Sequence, residues 1–261
     1  MKIFVTGAEG FIGSHLVEYL TKKNHKVTSL VQYNSFGNKG WLNNINSVAK
    51  KKNNICFGDI RDQDLLRKQT KKHDAIIHLA ALIAIPYSYD APKSYIDTNI
   101  IGTYNVLQAS KLNNIKKTII TSTSEIYGRS KKFPIFENTI VDPRSPYSAT
   151  KIAADQLALS YYYSYKLPVT IIRPFNTFGP RQSLRAVIPT IINQIIDDKK
   201  TIKLGNLNTK RNFNFIEDIV RGFEMAVRSK KNTNGEIINL GSNFEVSVKK
   251  LVEMISKIEN K

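Results

Sequence analysis

Residues 2–13 read Lys2-Ile3-Phe4-Val5-Thr6-Gly7-Ala8-Glu9-Gly10-Phe11-Ile12-Gly13. A short apolar run breaks into glycines three apart, then resumes with helical periodicity from Phe11 to Lys23. Gly7 permits a tight turn, Gly10 lets the main chain approach a pyrophosphate, and Gly13 lets helix and strand pack closely. The helix start then offers free N–H groups and the positive end of its dipole to phosphate. The spacing is GxxGxxG rather than GxGxxG, and a glycine trio by itself can be merely structural. Context sharpens it, because a second strand, Lys26–Val31, follows in the order of a dinucleotide-binding βαβ unit.

The same alternation continues outward. Ile55–Gly58, Ala75–Leu79, Thr118–Thr121 and Val169–Arg173 read as further buried strands. Asp62–Lys72, Pro92–Leu112 and Tyr147–Tyr165 read as the helices between them. Apolar strands joined by helices predict a parallel sheet covered on both faces, an α/β fold of the doubly wound Rossmann type. After Arg173 the regularity fails at Pro174, Gly179, Pro180 and Pro189. Ile216–Ser229 then reads as a helix, Glu236–Leu240 as extended and Ser247–Glu259 as a last helix. No repeat and no Gly/Ser-rich linker interrupts the chain. The expected division is a dinucleotide-binding domain of 1–173 plus about 210–240, and a smaller C-terminal lobe of about 174–209 and 241–261 on the carboxyl edge of the sheet.

Composition narrows the class. The chain has 261 residues, 41% hydrophobic and 23% charged, enough for a sizeable core and too apolar for disorder. No apolar run of about 18 residues could span a membrane, and glycine interrupts the N-terminal run too early for a secretory signal. The single cysteine, Cys56, excludes an internal disulfide and a cysteine-based zinc site. His15 and His78 lack ligand-spaced partners and read as packing residues, so no metal is expected. Together these features predict a cytoplasmic protein. Lys and Arg number 39 against 21 Asp and Glu, a net charge of +18, the usual footprint of nucleic-acid binding. Yet the lysines are scattered pairs such as Lys22-Lys23, Lys71-Lys72 and Lys199-Lys200, mostly at expected helix ends where cations complement the dipole. Solvated faces are the simpler reading, and nucleic acid is not the expected partner.

The second strand ends Leu30-Val31-Gln32-Tyr33-Asn34-Ser35, without the Asp or Glu that normally takes the adenosine ribose. Gln32 or Asn34 is placed to bond a 2′-hydroxyl, and no arginine stands there for a 2′-phosphate. NAD is favoured, with NADP not excluded. Asp59 meets either the adenine edge or the next helix as its cap. Tyr147 and Lys151 share a helical face, where an ammonium would lower a phenol's pKa and make it a base. Tyr19/Lys23, Tyr89/Lys93, Tyr127/Lys131 and Tyr162/Lys166 have the same spacing. Position separates Tyr147, which opens a long helix shortly after a strand running into Thr121-Ser122-Thr123-Ser124-Glu125-Ile126-Tyr127-Gly128.

At this point the sequence resembles the extended short-chain dehydrogenase/reductase family, specifically its nucleotide-sugar epimerases and 4,6-dehydratases. The likeness runs through Thr6-Gly7 to Gly13, His78-Leu79-Ala80-Ala81, Asn99 to Thr103, Ser145-Pro146-Tyr147 to Lys151, Arg173-Pro174-Phe175-Asn176, and Arg211-Asn212-Phe213 with Glu217-Asp218. It implies a nicotinamide cofactor held by Gly7, Gly10, Phe11, Ile12, Gly13, Gln32, Asp59, Ile60, Leu79, Ala80, Ala81, Asn99, Tyr147 and Lys151. It further implies Thr123, Glu125, Tyr147 and Lys151 as the catalytic group, and Ser124, Asn176, Arg181 and Arg211 on a nucleotide-sugar substrate. Asn176 and Arg211 would meet its diphosphate, to which a guanidinium offers paired donors.

The branch is read from residues 123–125. Epimerases carry small residues after the catalytic Ser/Thr, whereas a dehydratase needs a carboxylate beside the C5 proton. Glu125, followed by Tyr127-Gly128, resembles the GDP-mannose 4,6-dehydratase pattern. Ser124 stands where many dTDP-glucose dehydratases have Asp, which leaves the acid for the departing 6-hydroxyl open. Ser145-Pro146-Tyr147 with Arg173 to Gln182 is similar to dehydratases of N-acetylglucosamine nucleotides. The expectation is a 4,6-dehydratase of an NDP-hexose or NDP-N-acetylhexosamine. Its rivals are a 4-epimerase and, from another class, a nucleic-acid binder on a Rossmann scaffold. The resemblance also implies a homodimer packed through Tyr147–Tyr165 and the helix around Asn99–Leu112. It implies, too, a segment beyond Lys261 that completes the substrate pocket, so the lobe is expected to be truncated.

Overall fold

The structure, a computed structural model, describes residues 1–130, 133–197 and 201–258. Lys131, Lys199, Lys200 and Glu259, singled out above, lie outside the described residues. The described strands are β1 (Lys2–Thr6), β2 (Lys26–Gln32), β3 (Asn53–Gly58), β4 (Ala75–His78), β5 (Lys117–Thr121), β6 (Val169–Pro174), β7 (Asn176–Phe178), β8 (Lys210–Phe215), β9 (Ile237–Leu240) and β10 (Glu245–Ser247). The helices are α1 (Phe11–Lys22), α2 (Ser47–Lys52), α3 (Gln63–Gln69), α4 (Ile85–Asp90), α5 (Pro92–Tyr95), α6 (Gly102–Leu112), α7 (Pro146–Tyr165), α8 (Val187–Ile196), α9 (Ile216–Arg228) and α10 (Val248–Ile258).

Strand β1 is buried at four successive positions, as a strand covered on both faces must be. Seven strands lie in the order β3-β2-β1-β4-β5-β6-β9, every neighbouring pair parallel. One face is packed by α1 and α9 through Leu16, Val17, Leu20, Ile219 and Phe223. The other is packed by α3, α6 and α7 through Leu66, Val106, Leu107, Ala158 and Tyr161. Strand order reverses between β1 and β4, and that switch point opens a crevice at the carboxyl ends of the strands.

Two expectations are corrected. The stretch Pro92–Leu112 is not one regular helix, because Ile96–Ile101 forms a π turn between α5 and α6. There the Asn99 carboxamide bonds the main chain of Leu82. The boundary near residue 210 also moves: β8 joins a second sheet, antiparallel to β10 and parallel to β7, instead of the main one. Phe178 against Phe213 and Phe215, and Asn212 bonded to Ser242 and Phe244, hold it there. Behind this sheet, Ile191 and Ile195 of α8 meet Val246 and Leu251 in a small separate core. Among the described residues no helix is long and apolar enough to cross a membrane.

Candidate active site

A cleft of about 700 Å³ lies at the carboxyl ends of the central strands. Its floor is the glycine turn. Gly7 has φ +65°, and a Cβ there would stand 2.7 Å from the Ala80 nitrogen. A Cβ on Gly13 would run into the Gly7 carbonyl oxygen, whereas at Gly10 the nearest atom is 3.4 Å away. So Gly7 and Gly13 close the turn, and Gly10 keeps its approach open. Gly10 is the N-cap of helix α1 and supplies no side-chain cap, which leaves the leading N–H groups of the helix free of a capping side chain. This cradle fits a pyrophosphate. The exit of β4 is pinned beside it: the Thr6 hydroxyl accepts from Leu79 N at 3.2 Å and Ala80 N at 3.1 Å. His78 is buried between Thr6 and Thr103, and His15 bonds the Pro180 carbonyl. No described group of three or more His, Cys, Asp or Glu is placed to hold a metal.

Of the residues expected at the cofactor, Gly7, Gly10, Phe11, Ile12, Gly13, Gln32, Asp59, Ile60, Leu79, Ala80, Ala81, Tyr147 and Lys151 all line the cleft. Asn99 does not; it sits behind the wall, joining Leu82 to Thr150. Asp59 is not the helix cap, since the Asp62 carboxylate accepts from Leu65 N at 2.9 Å. Asp59 is held by Arg61 through Nε at 2.9 Å and Nη2 at 2.6 Å. That bonding keeps its carboxyl below the usual range.

The other end of the cleft collects Thr123, Ser124 and Glu125, on the short turn after β5, with Tyr147 and Lys151. Ser145 and Ser148 close a capping box and Pro146 starts α7, fixing where Tyr147 emerges. The Lys151 ammonium donates to the Thr121 carbonyl at 2.5 Å. Burial lowers its pKa to about 8, against which Asp155 acts. Tyr147 corrects the expectation of an acidified phenol. Burial pushes it up to about 12, with Glu125, Tyr95 and Asp155 adding to the rise, and the Thr123 hydroxyl is what favours ionisation. The ammonium faces Thr121, and the apolar cost of a buried phenolate dominates.

Beneath this pair lies a residue the motif reading missed. Asp155, 1% exposed, follows Tyr147 and Lys151 on the same helical face. Its Oδ2 accepts from Arg173 Nε and Nη2 at 3.1 Å and from Ser122 Oγ at 2.9 Å. Arg173 Nη1 in turn donates to the Tyr127 hydroxyl at 2.8 Å. The signal was present as an Asp four residues beyond Lys151 and an Arg ending β6.

On the lobe side, Asn176 and Ser124 line the cleft, together with the unanticipated Gln182 and Ser183. Arg181 and Arg211 do not. Arg181 is ion-paired to Glu18 on α1 at 2.7 Å and bonds Ser14. Arg211 is exposed on β8, donating to the Lys210 carbonyl.

A family model described as GDP-mannose 4,6 dehydratase matches residues 4–261. A dTDP-D-glucose 4,6-dehydratase of Dictyostelium discoideum is 38% identical over 94% of this chain, which spans only 59% of that protein's length. A UDP-N-acetylglucosamine 4-epimerase from Methanobrevibacter ruminantium, solved with UDP-N-acetylmuramic acid, is 33% identical with a TM-score of 0.91, covering 100% of this chain and 82% of that one. A dTDP-glucose 4,6-dehydratase from Streptomyces venezuelae, solved with NAD, is 29% identical with a TM-score of 0.90, covering 100% and 81%. With the family model running almost end to end, and both activities among its relatives, the chain belongs to the GDP-mannose 4,6-dehydratase family of nucleotide-sugar dehydratases and epimerases, within the extended short-chain dehydrogenases/reductases.

Proposed function

We propose that the chain acts as an NAD-dependent nucleotide-sugar 4,6-dehydratase, turning an NDP-hexose or NDP-N-acetylhexosamine into its 4-keto-6-deoxy form. The observation that carries this reading is Glu125, a carboxylate in the same cleft wall as Thr123 and facing the Tyr147 end of the cleft. An epimerase has no step for such a base. NAD, when bound, supplies the acceptor and later the donor of the sugar hydride. The glycine turn, Gln32, Asp59, Ile60 and Leu79–Ala81 would hold it. Lys151, with donors left after its bond to Thr121, would hold its nicotinamide ribose.

Tyr147 takes the proton of the C4 hydroxyl only as the phenolate, the form that the Thr123 hydroxyl favours against the cost of burial. The C5 hydrogen, now α to a ketone, leaves as a proton to Glu125, and the C6–O bond breaks. The departing hydroxide leaves as water with the proton that Glu125 took from C5. As the hydride returns to C6, a proton equivalent to the one Tyr147 received is restored to C5, giving the 4-keto-6-deoxy sugar. Asn176, with Gln182 and Ser183, offers hydrogen bonds to the substrate on the lobe side. We further propose a homodimer packed through α6 and α7, where Leu112, Tyr163 and Tyr165 are exposed.

The rival is a 4-epimerase, favoured by the likeness to the solved epimerase. A panel of UDP-, GDP- and dTDP-sugars with products weighed by mass spectrometry separates the two. Loss of one water from the sugar supports the dehydratase. Unchanged mass with inverted C4 contradicts it.

A further inference from the structure

Strand β2 ends without an acid that could meet a ribose. Gln32 closes that strand and Tyr33 and Asn34 follow it, but Asn34 is spoken for: its amide donates to the Gln32 and Asn38 carbonyls, and its oxygen accepts from Asn38 N. A carboxylate reaches the same place from elsewhere. Glu9, inside the glycine turn, lines the cleft, and its Oε1 accepts from the Gln32 main-chain N–H at 3.0 Å. The side chain therefore spans from the turn to the tip of β2. Its other oxygen, Oε2, is shielded from water and has no hydrogen-bond partner, although buried carboxylate oxygens ordinarily find a donor.

The chain after β2 holds Glu9 in place. Trp41 N donates to the Glu9 carbonyl at 3.0 Å. Gly40, with φ +53°, packs so closely that a Cβ there would stand 3.0 Å from the Glu9 Cβ. Arg61, a cation on the cleft wall, is bonded to Asp59.

We propose that Glu9 selects the cofactor's adenosine ribose: its carboxylate accepts the 2′-hydroxyl and repels a 2′-phosphate, so the site takes NAD and refuses NADP. This rests on the nicotinamide-cofactor reading of the preceding subsection. A free hydroxyl can donate to a carboxylate held at the tip of β2, whereas a 2′-phosphate would set like charges together. Selection of this kind is as much rejection as attraction.

The test is calorimetric titration of NAD and of NADP into the parent protein, Glu9→Gln and Glu9→Asp. The parent should prefer NAD by about 100-fold or more; Glu9→Gln should bind NAD about tenfold more weakly and NADP no more weakly, and Glu9→Asp should keep the preference. Each pair of titrations uses one preparation, so a partly unfolded variant changes stoichiometry and leaves the ratio intact. If Glu9→Gln weakens both dinucleotides alike, Glu9 is only a tether for Gln32 and the proposal fails, while the NAD reading stands. A parent protein that prefers NADP also overturns it. A parent that binds neither overturns this proposal and the cofactor reading together.

Discussion

The two ends of the cleft are built by different means. On the cofactor side the wall is main chain, formed by consecutive βα units: Gly7 against Ala80, the uncapped start of α1, and the exit of β4 pinned by Thr6. On the lobe side the wall is side chains from segments distant in sequence, placed by the small sheet of β7, β8 and β10. At Gly7 and Gly13 the first kind of wall tolerates no added atom. The second depends on which long-range partner each polar side chain finds. Arg181, paired with Glu18 on α1, is one such side chain.

The sharpest way to break the contrast is at the main-chain wall. Gly7→Val would put a β-branched residue at φ +65° and its Cβ 2.7 Å from the Ala80 nitrogen. We expect a loss of about 4 kcal/mol or more in urea unfolding, with NAD binding abolished. A stable Gly7→Val protein that still binds NAD would show the cradle to be adaptable.

Next in size is the support beneath the catalytic pair. Asp155→Asn leaves Arg173 buried without its counter-charge, at a cost of about 3 kcal/mol. It also removes the charge that holds the Lys151 pKa up. Lys151 titrates at about 8 in the folded protein against 10.5 as a free group. Because the unfolded chain keeps that proton longer, this group's contribution raises stability as pH rises through this window and is lost as pH falls through about 8. Where function needs the ammonium, NAD affinity should fall as pH rises through about 8, and in Asp155→Asn that limb should move to lower pH. An unmoved limb would reduce Asp155 to a structural partner of Arg173.

The smallest effect is expected on the lobe side. Arg181→Ala removes a largely shielded ion pair to Glu18 and a bond to Ser14, and should cost about 1–2 kcal/mol. The KM for the sugar nucleotide should stay within about twofold, an energy well below one hydrogen bond to a charged group. A tenfold rise would put Arg181 on the substrate.

How much was legible follows the same division. The glycine turn, the strands β1 to β6 and the start of α7 were readable because local pattern and backbone sterics dictate them. Spacing put Tyr147 and Lys151 on one helical face, whereas their gathering with Thr123 and Glu125 was implied by the family resemblance. The pairing of β8 was not legible, since nothing local distinguishes a strand for the main sheet from one for the small sheet. Asn99 was misplaced by one layer because its motif records a contact with Leu82 and Thr150 as faithfully as it would a contact with ligand. The phenol of Tyr147 was misjudged for a different reason. Spacing announces the ammonium, but only the fold shows how deeply the pair is buried and that Lys151 turns to Thr121.

The claim on which the account stands is that Glu125 is a base beside C5, and one variant isolates it. Glu125→Gln keeps shape and polarity while removing the base. Given NAD and its sugar nucleotide, it should still reduce the cofactor, seen by absorbance, and then stall. Exchange of the C5 proton in heavy water should fall by about 10²–10⁴-fold, the range for a lost general base. If instead Glu125→Gln releases dehydrated sugar at the parent rate, with C5 exchange intact, Glu125 is not the base and the dehydratase reading loses its support.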